Sequence, residues 1–179
     1  MSKTQNVCVY EAPDEIAETL FRVGKEKSRK PTFNLVILGL LAGAFIAFGG
    51  VLETVVITNT SEIFGLGITR FLAGSVFSVG LILVIVAGAE LFTGNNLIIV
   101  GLLTGAVGLS EMLRNWTIVL LGNFTGGALG ALVLAFTGVF SPEAADAALY
   151  LSQKGVDEAA WNLFFKGAVA GLIVAGVVW

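Results

Sequence analysis

The sequence predicts an all-α membrane protein, a bundle of spanning helices whose second span is broken. Three observations carry that prediction. Apolar runs near the length of a membrane span recur along the chain, charge is scarce, and one apolar run is too long for one helix yet too short for two. The 179 residues are 56% hydrophobic and 13% charged, about half the charge of an ordinary soluble domain, which places the chain among multi-span helical proteins. The long run, Phe71 to Leu109, would reach roughly 58 Å as a single helix, nearly twice a bilayer's hydrocarbon thickness, whereas two full spans need about 40 residues plus a turn. One crossing in two pieces fits, broken where Glu90, Thr93, Gly94, Asn95 and Asn96 interrupt the apolar residues. Irregular backbone at membrane depth is stable only inside protein or beside a wet cavity, and broken helices mark transport sites.

The elements follow in order. Residues 1–30 are polar and form a cytoplasmic amphipathic segment. Ala12-Pro-Asp-Glu-Ile16 reads as a helix start, with Pro13 in the first turn and acids at the positive dipole end. Ile16, Leu20 and Val23 recur at helical spacing, so a short helix along the membrane surface is expected. Half of the ten basic residues, namely Arg22, Lys25, Lys27, Arg29 and Lys30, precede the first span, and the positive-inside rule puts the N-terminus in the cytoplasm. Residues 31–179 form the channel domain. Span 1 is expected at Phe33–Ile57, with a contact stripe of Gly39, Gly43, Ala47 and Gly50 and Glu53 near its outer end. Thr58–Thr69 reads as an outer loop, and the broken crossing 71–109 returns the chain inward to a short loop with Glu111 and Arg114. Span 3 is expected at Trp116–Phe136, with Gly122, Gly126 and Gly130 as a second stripe and Asn123 inside it. Residues 139–159 read as an outer loop, and span 4 begins near Ala160. Because no polar tail closes span 4, the chain is expected to be part of a larger membrane domain: its gene continues, the sequence is a fragment, or a second polypeptide completes the bundle.

Composition excludes several classes. A net charge of −3 without a basic face does not fit nucleic-acid binding. The one cysteine, Cys8, rules out an internal disulfide, and with no histidine in the sequence no metal site or cofactor is expected. No nucleophile–base pair is visible, so the chain is not read as an enzyme.

Four segments, in this order, resemble the formate/nitrite transporters, a family that includes hydrosulfide channels. They are Phe77-Ser-Val-Gly-Leu81; Gly88-Ala-Glu-Leu-Phe-Thr-Gly-Asn95; Arg114-Asn-Trp116 with Gly122-Asn123; and Phe164-Phe-Lys-Gly167 running on to Val177-Val-Trp179. The resemblance covers nearly all of the chain from about Asp14. It implies an aquaporin-like helical bundle, six spans per protomer in an inverted repeat, assembled as a homopentamer in the cell membrane with one pore in each protomer. By that pattern this chain holds the first repeat and the opening helix of the second, without the fifth and sixth spans or the family's central histidine. Where the family has Gly-x-x-x-Asn in span 4, this sequence has Gly167 to Gly171 and lacks the polar side chain.

The same resemblance assigns site residues. Thr93 matches the pore-centre threonine, although a turn-stabilising hydroxyl is the plainer reading of Thr-Gly. Phe77 and Leu81 match the outer constriction, and Leu91, Phe92 and Val174 the inner one; by default each is core or lipid-facing. Lys154 matches a lysine of the outer vestibule, and Lys166 is a second charge able to snorkel to the interface. Glu90 is read as loop scaffold accepting hydrogen bonds from freed backbone amides, and Gly94, Asn95, Asn96 and Asn123 likewise as scaffold. The implied function is passage of a small weak-acid anion (formate, nitrite or hydrosulfide), passive or proton-linked, across the lipid bilayer. The alternative is a non-transporting half-transporter that needs a partner chain.

Overall fold

A computed structural model describes residues 12–58 and 60–178; Cys8 and Trp179 lie outside them. The described residues form eight helical segments and no strand. Helix α1 (Pro13–Ser28) starts as its sequence dictates, with Pro13 in the first turn and the Glu15 carboxylate accepting from the Ala12 amide at 3.2 Å. Its buried face is Leu20, Gly24 and Ser28, and a methyl on Gly24 would sit 3.5 Å from the Ile98 backbone. Protein, rather than a lipid surface, therefore takes up this part of the amphipathic face.

Helix α2 (Thr32–Ile57) matches span 1 and is the centre of the bundle, packed against α3 (Thr60–Val86) and α6 (Leu109–Phe136). Glycine makes both contacts close. A methyl on Gly43 or Gly126 would overlap a carbonyl of the facing helix, and one on Gly49 would lie 2.7 Å from the Phe77 carbonyl oxygen. The expected stripe needs one correction: Gly50 faces open space, and its neighbour Gly49 meets Gly80 of α3.

Three expected loops are helical. Thr58–Thr69 is mostly the start of α3, interrupted at Gly65 with φ 74° and ψ 165°; Ile63, Phe64, Leu66 and Ile68 supply apolar residues that the neighbouring Thr, Ser and Glu obscured. The stretch with Glu111 and Arg114 is the first part of α6, because Glu111 reaches back to the Gly108 amide at 2.9 Å and starts the helix early. Residues 139–159 contain α7 (Pro142–Val156), capped by the Ser141 hydroxyl, which accepts from the Ala144 amide, with Pro142 at the first helical position.

The broken crossing is asymmetric. Glu62–Val86 is long and apolar enough to span a membrane alone, as are α2 and α6. The break that follows contains α4 (Phe92–Asn95) and leads into α5 (Ile98–Leu103). Helix α8 (Ala160–Val178) touches the bundle through α4 and exposes Trp161, Phe164, Phe165, Leu172 and Ile173.

Candidate functional site

The break begins at Gly88, whose φ of 63° ends α3. The Ala89 amide donates to the Val84 carbonyl at 2.9 Å and the Gly88 amide to that of Ile85 at 3.1 Å, the paired closure of a Schellman turn. The turn is thus made at Gly88, two residues before the polar cluster. Gly94 has no such backbone requirement and open space around it.

Beyond the turn the backbone needs partners from other helices. The Glu90 amide donates to the Leu38 carbonyl at 3.2 Å, which places the break roughly 9 Å into the bundle from the start of α2 at about 1.5 Å per residue. Asn123, from the middle of α6, does most of the rest. Its side-chain oxygen accepts from the Phe92 amide at 2.8 Å, while its amide donates to the carbonyls of Gly39 at 2.9 Å and Glu90 at 2.8 Å. One side chain therefore ties α2, the break and α6 together.

Glu90 does something other than the expected acceptance of backbone amides. Its side chain is 1% exposed, and its carboxylate receives Lys27 at 2.7 Å and Lys30 at the other oxygen. Backbone needs are met by Asn123, whereas a buried carboxylate needs a countercharge more than it needs an amide. Both lysines come from the basic run before α2, the run from which the positive-inside rule reads topology. Lys27 also donates to the Asn95 side chain at 2.9 Å. Asn95 donates to Asn115 at 2.9 Å, Asn115 donates to the Lys27 carbonyl at 2.9 Å, and the Trp116 indole donates to the Asn95 carbonyl at 2.9 Å. Arg114 closes the C-terminal end of α1 through the carbonyls of Ser28 and Lys30, each at 2.9 Å. Lys27, Lys30, Arg114 and Asn115 are the residues that sequence reasoning left without a site role. The lysines signalled only charge near a span end, and Arg114 and Asn115 only their place in the Arg-Asn-Trp segment; neither signal carries pairing information.

A cavity of about 280 Å³ opens beside this cluster, lined by Lys27, Lys30, Leu81, Glu90, Leu91 and Val174, with Gly94 and the end of α3. Leu81, Leu91 and Val174 are thereby brought together. The Phe92 ring instead lies edge-on to Trp116, with centroids 5.9 Å apart. Thr93 carries a buried hydroxyl that has no hydrogen-bond partner among the described residues. Asn96 approaches α8 at Gly171, where an added methyl would lie 3.7 Å from its amide nitrogen, an ordinary contact.

At the opposite end of α3 a second cavity, about 650 Å³, is lined by Glu53, Arg70, Gly74, Tyr150 and Lys154 among others. The half-exposed Phe77 lies on α3 between Gly74 of this cavity and Leu81 of the first. Lys154 also borders a shallow cleft with Asp157, Glu158 and Asn162. Lys166 pairs with Glu158 and is exposed, at the start of α8 and away from both cavities. Among the described residues no three of His, Cys, Asp and Glu gather to hold a metal ion.

A family model described as formate/nitrite transporter matches residues 14–179. The formate channel FocA of Haemophilus influenzae is 31% identical over 170 residues, covering 93% of this chain and 60% of that protein. An uncharacterized transporter of Bacillus subtilis, YrhG, is 39% identical over 128 residues, covering 71% of this chain and 46% of that protein. Among solved structures, a pentameric formate channel with formate bound superposes with a TM-score of 0.73 at 30% identity, over 83% of this chain and 59% of that one. The chain thus spans about half the length of the curated relatives it matches.

Proposed function

The chain belongs to the formate/nitrite transporter family, and from that premise we propose that it supplies one wall of a pore for small monovalent weak-acid anions in the cell membrane. Thr93 carries this reading. A buried hydroxyl without a partner is costly, of the order of 1–3 kcal/mol, and this one sits in α4 between Leu91 and Gly94, both of which line the inner cavity. A hydroxyl there can donate to an anion or accept from its conjugate acid.

The physical task is desolvation. Moving a small anion into a low dielectric costs on the order of 20 kcal/mol by an idealised Born estimate. Two features lower that cost here. Lys27 and Lys30 against Glu90 leave one positive charge in excess beside the inner cavity, which attracts an anion to the constriction. The apolar pairs Phe77 with Leu81 and Leu91 with Val174 reject hydrated inorganic ions, whereas a weak acid that takes up a proton passes them neutral. Formate, nitrite and hydrosulfide meet that requirement, by passive or proton-linked passage. The positive-inside reading of the basic segment before α2 supports a cytoplasmic N-terminus, which makes the Glu90 end the inner one. Assembly as a homopentamer is the parallel proposal, supported by the pentameric state of the solved relative. The protein as purified from its own host membrane, reconstituted in liposomes, is expected to carry at least one of the three anions down its gradient. No flux of any of them rejects the reading.

A further inference from the structure

We propose that Arg70 adds a guanidinium fork for anions to the outer mouth that Lys154 borders, and that this fork favours planar two-oxygen anions over hydrosulfide. The inference rests on the pore reading and adds selectivity to it. The cavity of about 650 Å³ lies between the end of α2, the start of α3 and α7. Its charged lining residues are Arg70, Lys154 and Glu53, two cations against one carboxylate. Among the described residues Arg70 forms no ion pair and no side-chain hydrogen bond, and it is exposed, so its donors are free for a ligand.

Position connects this site to the pore. Arg70, Gly74, Phe77 and Leu81 recur at spacings of three and four, one face of α3. Arg70 and Gly74 line the outer cavity and Leu81 the inner one. An anion held by Arg70 is therefore roughly 16 Å along the helix from the inner cavity, at about 1.5 Å per residue, with Phe77 in between.

Chemistry then separates the three anions. Formate and nitrite each present two oxygens in one plane, the geometry that the rigid fork of a guanidinium grips with two parallel hydrogen bonds. Hydrosulfide presents one sulfur and gains only the charge. Lysine keeps the charge and loses the fork, so Arg70→Lys isolates the second effect and Arg70→Gln removes both.

The test measures uptake of all three anions by proteoliposomes at about 10 mM ionic strength, where the Debye length is about 30 Å. Arg70→Gln is expected to slow hydrosulfide by about two- to five-fold, the range of a well-exposed ion pair, and formate and nitrite by more because the fork is lost as well, and the charge part of the deficit should shrink at about 1 M salt. Arg70→Lys is expected to slow formate and nitrite by a similar factor and leave hydrosulfide unchanged. Because the comparison is a ratio of anions within one preparation, a folding defect does not imitate it. Equal slowing of all three by Arg70→Lys, or no effect of Arg70→Gln, overturns the proposal. Line broadening of 13C-formate on the solubilised protein reads the site without flux. Broadening that Arg70→Lys reduces supports the site even where the wild type carries nothing, an outcome that rejects the pore alone; broadening indifferent to Arg70 rejects the site.

Discussion

Replacing Glu90 with glutamine removes the carboxylate on which Lys27 and Lys30 converge, and so tests what holds α1 to the broken crossing. The carboxylate is 1% exposed, whereas the two lysine side chains are 22% and 34% exposed. Breaking a fully buried ion pair from one side costs about 3–5 kcal/mol. Partial hydration of the lysines, and the bond that Lys27 keeps to Asn95, place this case at the low end, about 3 kcal/mol. That cost falls on the docking of α1 to the rest, because both lysines sit at or just beyond the end of α1 while Glu90 belongs to the break. If α1 opens locally, an opening equilibrium shifted by that amount changes by on the order of 100-fold. Limited trypsinolysis in the regime where opening is fast relative to cleavage reads that equilibrium, at Lys25 and Arg29, which Glu90→Gln leaves in place. The expected result is cleavage after Lys25 and Arg29 faster by one to two orders of magnitude. Glu26→Gln is the control: its partner Arg22 and Glu26 itself are 64% and 62% exposed, so a change of no more than about two-fold is expected. Cleavage of Glu90→Gln within three-fold of the wild type, with helical content intact, would refute the reasoning that this ion pair holds α1 in place.

Other outcomes follow from the same geometry. Asn123→Leu strands the Phe92 amide and the carbonyls of Gly39 and Glu90, so a loss of about 2–3 kcal/mol is expected, seen as a lower thermal midpoint in detergent. Gly126→Leu drives a side chain into the Leu40 backbone and should reduce folded yield severely, while Gly50→Ala, in open space, should leave it unchanged. Phe77→Ala is expected to admit chloride to proteoliposomes that exclude it in the wild type; continued exclusion argues against Phe77 as a constriction. Ser141→Ala removes the cap of α7 at about 1 kcal/mol of helix stability, measurable by amide exchange. The Ser141 hydroxyl also holds the Glu143 carboxyl below its ordinary 4.5. A depressed acid stabilises while ionised, so the exchange protection of α7 should be full above pH 4.5 and fall as the pH drops through the lowered value, a dependence that Ser141→Ala weakens.

Much of this protein is determined by the sequence alone, and the reason is that those features are local. Apolar run length sets the extents of α2 and of α3 with its sequel, because the bilayer has a fixed thickness. The glycines of the α2 and α6 stripes lie at helical spacing, and the Glu-Leu-Phe-Thr-Gly-Asn segment announces the break. Local signals also misled where polar residues outweighed a helical pattern, as in the residues before Phe71 and in α7, whose Ser141-Pro142 start resembles any loop. What only the tertiary structure decided are the pairings. Glu90 finds lysines 63 and 60 positions away, Asn123 clips three elements at once, and Arg70 and Lys154 meet across one cavity. Periodicity specifies which face of a helix is buried and is silent about which side chain of another helix will face it. That choice is made by close approach of backbones at Gly39, Gly43 and Gly126, and by the cost of leaving a charge or an amide unpaired inside the bundle.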